Sequence, residues 1–353
     1  MMKKTDFHVA ILVTASMAVF FYLGCQKPMA TGVQLDVAGK PFEYLSQYQF
    51  FAGEMKDLRP NKRVLPYDLN SPLFSDYAEK SRFVWLPEGT AANYREGRAF
   101  DFPEGAVLIK NFFYENEKGA SDGERRIIET RLLVNRESGW DAMTYVWNDE
   151  QTEASLNIIG DQQEVSHLGH DFTYLIPNRN QCKSCHSYDG KMMPNGPKAH
   201  QLNKMFNYAD GEMNQLEKWS SMGYLLGYQA SPSVPSAAKW DHPESAPLHN
   251  RAMSYLDSNC GHCHNPHGSA NTSGLNLIYD EPIGLTLGLM KQPVATGKGS
   301  GGRLYSIVPG KPEESILVYR MEATDPGAMM PEVGRQLVHE EGVALIKEWI
   351  AGM

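Results

Sequence analysis

Two pentapeptides hold four of the five cysteines in this chain. Cys182-Lys183-Ser184-Cys185-His186 and Cys260-Gly261-His262-Cys263-His264 share the spacing Cys-x-x-Cys-His. That spacing is the attachment signature of a c-type haem. Two thiols three positions apart can each add to a vinyl group on one edge of the macrocycle. The adjacent imidazole then projects over the porphyrin face and binds iron. A four-cysteine zinc site is the competing chemistry, but its pairs are usually about 15–20 residues apart. Here 74 residues lie between Cys185 and Cys260. Neither zinc nor a disulfide gives a reason for a histidine directly after both pairs. The reading is two covalently attached haem c groups on Cys182, Cys185, Cys260 and Cys263, with His186 and His264 as axial iron ligands.

Each iron has a second face. Ala328-Met329-Met330-Pro331 places Met330 66 residues after His264, in a loop before the last helical pattern. Small cytochrome c domains take their distal ligand from such a Met-Pro loop. A thioether stabilises ferrous iron and raises the potential relative to His/His ligation. Met330 is the expected ligand of the second haem, with Met329 as the fallback. For the first haem, Met193 follows only seven residues after His186. His200, Met205, Met213, Met222, His167 and His170 are the other candidates, and an open iron is the remaining possibility. His262 is expected to face solvent and His267 to sit in a loop. Gly297–Arg303 fails the phosphate-loop pattern; its Lys298 and Arg303 are candidates for pairing haem propionates.

The fifth cysteine reads as an export device. Lys3 and Lys4 precede an apolar run from Val9 to Leu23, and Leu23-Gly24-Cys25 follows the pattern of a bacterial lipobox. The run is short for a spanning helix, which needs about 20 apolar residues, and suits a signal segment. Residues 1–24 are read as the signal peptide and Cys25 as the lipidated residue. A single lipidated cysteine tethers a protein without spanning the membrane. The expected location is the periplasmic side of a bacterial membrane; Gln26, not being Asp, favours the outer one. Haem attachment requires reduced thiols delivered outside the cytoplasm, which agrees with export.

The elements around the motifs come in two styles. Lys80–Leu86, Val107–Tyr114, Arg126–Asn135 and Trp140–Trp147 are rich in aromatic and β-branched residues and bounded by Gly, Asp and Asn. In Arg126–Asn135 the alternation puts Ile128, Leu132 and Val134 on one face and Glu129 and Arg131 on the other. Asp149, Glu150 and Glu153 read as a solvated turn. After residue 176 helical spacing takes over: Met213–Met222, Leu248–Ser258 and Glu340–Ile350, the last with a Val343, Ile346, Trp349 and Ile350 stripe. The expected fold is α+β and multidomain: a β-sandwich-like domain over 25–165, then mainly helical cytochrome c-type segments over 166–240 and 241–353. With 353 residues, 42% hydrophobic, the chain can bury a core. Its 42 acidic against 33 basic residues argue against a nucleic-acid surface.

Several strings extend beyond the haem motifs. Asn178-Arg179-Asn180-Gln181, Gly196-Pro197-Lys198, Gln201-Leu202-Asn203, Gly299–Arg303, Tyr319-Arg320-Met321, Thr324-Asp325-Pro326-Gly327, Met329-Met330-Pro331 and Val338–Ile350 resemble a largely uncharacterised family of bacterial dihaem c-type cytochromes. So do Glu129-Thr130-Arg131-Leu132-Leu133 and Tyr145-Val146-Trp147-Asn148-Asp149-Glu150 in the β-rich part. The resemblance covers most of the mature chain and implies export, two haems and an N-terminal non-haem domain. The function expected is electron transfer between extracytoplasmic redox partners, a dehydrogenase and a respiratory cytochrome among them. The alternatives are a peroxidase-like enzyme with one open iron, and a carbohydrate- or partner-binding β-domain carrying haem modules. No residue set points to a hydrolase or transferase, so an electron carrier is favoured over a catalyst.

Overall fold

A computed structural model describes residues 32–115 and 125–353. The signal segment, Cys25 and the turn at 118–123 lie outside the described residues. The centre of the fold is a six-stranded antiparallel sheet in the order β1-β2-β4-β5-β6-β7. Its strands are β1 (Val64–Tyr67), β2 (Glu79–Trp85), β4 (Val107–Glu115), β5 (Arg125–Arg136), β6 (Gly139–Trp147) and β7 (Ala154–Asn157). The two-residue β3 (Ala92–Asn93) lies outside this sheet, and β8 (Asp161–His167) and β9 (His170–Ile176) form a separate hairpin.

Side chains alternate across the two faces, and both faces are covered. On one, the register row Phe83, Ile109, Leu132 and Met143 packs against Leu45, Tyr48, Phe50 and Leu58 from the chain leading into the sheet. On the other, the row Leu65, Val84, Leu108 and Leu133 meets Leu202, Leu216, Trp219 and Tyr224. Those last four residues follow the first haem motif, so the sheet and that segment share one core. Trp219 is fully buried; truncating such a residue to Ala costs about 3–5 kcal/mol.

A β-bulge between Phe112 and Phe113 shifts the β4–β5 register by one residue. The expected face of Ile128, Leu132 and Val134 is therefore broken. Leu132 and Val134 stay in the first core with Ile127, whereas Ile128 turns to pack with Tyr114, Val165 and Tyr174 under the β8–β9 hairpin. One extra residue exchanges the faces of everything beyond it.

Beyond the hairpin come α1 (Arg179–Cys185), β10 (Ser187–Tyr188), β11 (Lys191–Met192), α2 (Ala199–Leu202), β12 (Met205–Tyr208), β13 (Gly211–Asn214) and α3 (Gln215–Ser221). β14 (Leu225–Leu226) pairs in parallel with β3. Then α4 (Leu248–Leu256), α5 (Ile316–Glu322) and α6 (Glu340–Ala351) pack around Leu256, Leu277, Ile307, Ile346 and Trp349. The stripe read in the last helix is buried as a unit: Val343, Ile346, Trp349 and Ile350.

The expectation of a β-sandwich-like domain followed by mainly helical haem domains is overturned. Among the described residues the chain is sheet-rich, with six α-helices and only 22% helix, and those helices are 4–12 residues long. The physical reason is the density of Gly and Pro. From Pro266 to Pro312 the chain meets Gly268, Gly274, Pro282, Gly284, Gly288, Pro293, Gly297 and Gly310 and makes no α-helix. Such residues cost too much in a helix interior. No helix among the described residues is long and apolar enough to cross a membrane.

Candidate functional site

The first motif is carried by α1 and the hairpin after it. Asn178 caps α1: its side chain accepts the Gln181 N–H at 3.0 Å, and the Gln181 side chain accepts the Asn178 N–H at 2.9 Å. The helix ends at Cys185, and the chain turns at Asp189-Gly190 so that β11 returns beside β10. That return brings the Met193 carbonyl to 3.1 Å from Nδ1 of His186. With Nδ1–H donated to this carbonyl, Nε2 is the nitrogen left to bind a metal. Burial, helped by the nearby His262, pulls the His186 imidazole down to about 4. The ring is thus neutral near pH 7, the form that ligates.

The second motif reaches the same arrangement by other means. α4 runs into a wide turn over Asp257–Gly261, and His264 follows with its N–H on the Cys260 carbonyl at 2.9 Å. Nδ1 of His264 lies 3.0 Å from Ser273 Oγ. That hydroxyl already donates to the Ala270 carbonyl at 2.7 Å, so it accepts from the ring and Nε2 is again free. Gly268 allows the tight loop: a Cβ there would sit 2.2 Å from the Cys263 carbonyl oxygen. Burial also lowers the His264 pKa.

Each motif opens onto its own cavity. The first, about 220 Å³, is lined by Cys182, Cys185 and His186, with a wall from the sheet that includes Tyr67, Arg82, Leu108, Lys110 and Arg131. The second, about 440 Å³, is lined by Cys260, Cys263, His264, Ile316, Arg320 and Met330. Cys185, His262, Pro331 and Val333 line both, so the cavities adjoin. At the junction the ligand atoms of Cys185, His262 and Cys263 lie within 4.8 Å of one another. As free thiols, Cys185 and Cys263 share a hydrogen bond that holds Cys185 protonated and favours the thiolate at Cys263. The β10–β11 turn locks the two motif loops together. Asp189 receives His267 Nδ1 at 3.0 Å, and the His267 ring stacks on Tyr188 at 4.7 Å.

The distal candidates separate cleanly. Met330 lines the cavity of His264, whereas Met329 is buried outside it. A buried Arg335 fixes the Met330 loop: it donates to the carbonyls of Met330 (3.1 Å), Leu337 (3.0 Å), Arg320 (3.2 Å), Met321 (3.2 Å) and Ala323 (2.8 Å). In the first cavity, none of the seven sequence candidates is in the lining. Met193 sits on the His186 side through its carbonyl. His200 is bonded to Asp257 at 3.0 Å and stacked on Tyr279. Met205, Met213 and Met222 are exposed. His167 and His170 belong to the β8–β9 hairpin. Among the described residues, His186 and His262 are the only His or Met in that lining.

Three other readings change. His262 is half-buried and lines the junction. Lys298 pairs with Asp325 at 2.8 Å. Arg303 donates to the Glu313 carbonyl and lies over Tyr319. Neither cation lines a cavity, and Arg320 is the one that faces the second. Sequence reasoning also missed Arg82, Lys110 and Arg335. Nothing local marks the first two, because they are brought together only by strand register.

The residues fit a covalently held haem at both places. Each motif presents to its cavity two thiols and one neutral imidazole with a free Nε2. The first also holds an orphaned buried polar atom, Nη2 of Arg82, with no partner, as a cavity built around a polar cofactor would. No protein family model, curated protein or solved structure matches the chain.

Proposed function

We propose that this protein is an exported, lipid-tethered dihaem c-type cytochrome that passes electrons between extracytoplasmic redox partners. The observation that carries the reading is that both Cys-x-x-Cys-His motifs, 74 residues apart in sequence, open onto two adjoining cavities with each histidine held by Nδ1. Haem, when bound, supplies a one-electron couple at each site. The chain supplies the rest. Cys182 and Cys185, and Cys260 and Cys263, anchor the two groups. Met193 and Ser273 orient the proximal imidazoles. Arg335 fixes the loop that presents Met330 to the second cavity. The junction at Cys185 and Cys263 puts the two attachment edges beside each other, the arrangement a relay needs.

A zinc site at Cys185, His262 and Cys263 accounts for less. A closed structural zinc takes four protein ligands, and only three gather there. It also leaves Cys182, Cys260 and both oriented histidines without a role.

One observation favours a second reading, a peroxidase-like centre at the first site: His186 has no Met, and no His besides His262, in its cavity. Ferrous carbon monoxide binding decides between the two. The protein is produced with a c-type maturation system, and its mass and haemochrome spectrum are taken first. Two covalent haems, neither shifted by carbon monoxide, support simple transfer. A spectral shift in one haem, together with peroxide turnover, supports the enzyme. A chain carrying no haem, or one, overturns the dihaem reading.

A further inference from the structure

The sheet wall of the first cavity contains an arrangement that the haem motifs do not require. Arg82 on β2 is in direct register with Lys110 on β4, and Lys110 with Arg131 on β5. Three cations thus stand in one cross-strand row, all lining the cavity. Like charges directly opposite on neighbouring strands destabilise a sheet. Lys80, two residues before Arg82 and so on the same face, adds to the field at Lys110: burial first, then Arg82, Lys80 and Arg131, push the Lys110 amine well below its ordinary pKa, and an anion beside it would favour the ammonium.

The available carboxylates do not balance this row. Arg131 is satisfied: Glu129 receives its Nε at 2.8 Å and its Nη2 as well, and Tyr174 donates to the same carboxylate at 2.7 Å. Arg82 is half satisfied. Its Nη1 reaches Asp68 at 3.0 Å, but Asp68 is shared with Lys204 at 2.9 Å. Nη2 of Arg82 is buried with no partner, and the side chain is only 4% exposed. The Lys110 side chain has no hydrogen bond or ion pair among the described residues; its Nζ lies 4.6 Å from the Phe112 ring centre. The deficit is therefore concentrated at two neighbouring donors on adjacent strands, about 5 Å apart in backbone spacing. A buried guanidinium nitrogen left unpaired is destabilising, a cost that an acceptor in the cavity would remove.

We propose that Arg82 and Lys110 form a carboxylate-binding pair on the wall of the first cavity, filled by a propionate of the haem held by Cys182 and Cys185 or by a free carboxylate anion. A carboxylate offers two oxygens in a plane, matching a guanidinium edge and an adjacent ammonium with charge-assisted hydrogen bonds. Binding neutralises the row that the register creates. The first source rests on the dihaem reading; the second does not.

The test uses the purified, matured chain and its Lys110→Gln and Lys110→Arg variants. Covalent haem is counted by mass before anything else, so a failure of the dihaem reading shows itself separately. Each haem is then titrated electrochemically, and formate is titrated into the ferric protein while its spectrum and melting temperature are followed. If a propionate fills the pair, Lys110→Gln leaves a negative charge uncompensated beside the iron. The potential of the haem lacking Met330 then falls, the other haem is unchanged, Lys110→Arg restores the value, and formate has no saturable effect. If a free anion fills it, formate binds saturably to the parent protein and at least tenfold more weakly to Lys110→Gln. This arm is read even for a chain without haem. A Lys110→Gln protein with unaltered potentials, and no saturable formate binding by the parent, overturns the proposal.

Discussion

The same pentapeptide sits in two different rooms. The first is walled by a sheet, and its lining adds Arg82, Lys110, Arg131 and Lys198 to the motif. The second is walled by loops and short helices, and its lining adds Met330, Met321 and Ile316, with Arg320 the one cation among them. Both motifs orient their histidine through Nδ1. What differs is the rest of each lining. A thioether faces one site; cations on a sheet face the other. If the motifs hold haem, the motif sets what is bound and the rest of the lining sets how that group behaves. On the dihaem reading the second site is the low-spin, higher-potential relay, because thioether ligation raises the potential.

The largest effect expected separates the two rooms outright. Replacing Cys182 and Cys185 by Ser should remove one covalent haem and leave the Met330-linked spectrum; the same change at Cys260 and Cys263 should remove the other. Mass spectrometry reads each loss. A double variant that loses both haems would show that the motifs load as one unit and would dissolve the comparison.

Met330→Ala comes next. The thioether-to-iron absorption band at the red end should vanish, and the potential of one haem only should fall. Changes at Met193, His200 or Met205 should leave that band intact. Unchanged spectra in Met330→Ala would remove the ligand assignment and the inequality drawn from it.

Arg335→Leu tests the support behind that ligand. It strips the Met330 loop of a buried cation bonded to five carbonyls. A loss of about 3–5 kcal/mol is the scale for a buried charged network, measurable by denaturant unfolding. The thioether band should weaken as well. A stability loss with a full-strength band would show that the loop holds Met330 without this arginine.

The smallest effect concerns the floor of the first room. Asp257 is buried between Lys198 (2.7 Å) and His200 (3.0 Å). Burial alone would raise its pKa, but Lys198 and His200 outweigh burial and hold it well below the usual carboxylate range. A folded pKa below the unfolded one gives stability that is full above about pH 4 and lost as pH falls further. Asp257→Asn should therefore cost about 2–3 kcal/mol at pH 7 and flatten the acid limb of the stability profile. The second site should not change. An unaltered acid limb would show that Asp257 is not what the pH profile reports.

The two Cys-x-x-Cys-His motifs were legible as motifs, because the pattern is local, and the structure opens each of them onto a cavity. The main strands were legible within a residue or two, because their alternation and their Gly and Asn boundaries are local as well. The cation row was not. Arg82, Lys110 and Arg131 look like ordinary polar strand residues, and only the register of three strands puts them side by side in a cavity. The bulge at Phe112 was equally hidden, since period-2 alternation carries no mark of one extra residue. The expectation of mainly helical domains failed for a related reason: the patterns at Met213–Met222, Leu248–Ser258 and Glu340–Ile350 each mark only their own short helix and say nothing of the loops that do most of the enclosing. Nothing local marks Arg335, which stands between Gly334 and Gln336; its five acceptors are contacts that folding creates.

The meeting of Cys185 and Cys263 sets a timetable for the protein's birth. Sulfurs 78 positions apart end within 4.8 Å of each other, half-buried where two chambers join. In the finished fold an assembly enzyme has little room to reach either sulfur. If the motifs hold two haems, their ligation is expected to run ahead of closure, on a chain still open enough to be handled. The first cargo must also wait, already fastened, while the second motif is made. Pulse-labelling during maturation should find attachment before protease resistance; the reverse order would mean that the chambers reopen to be filled.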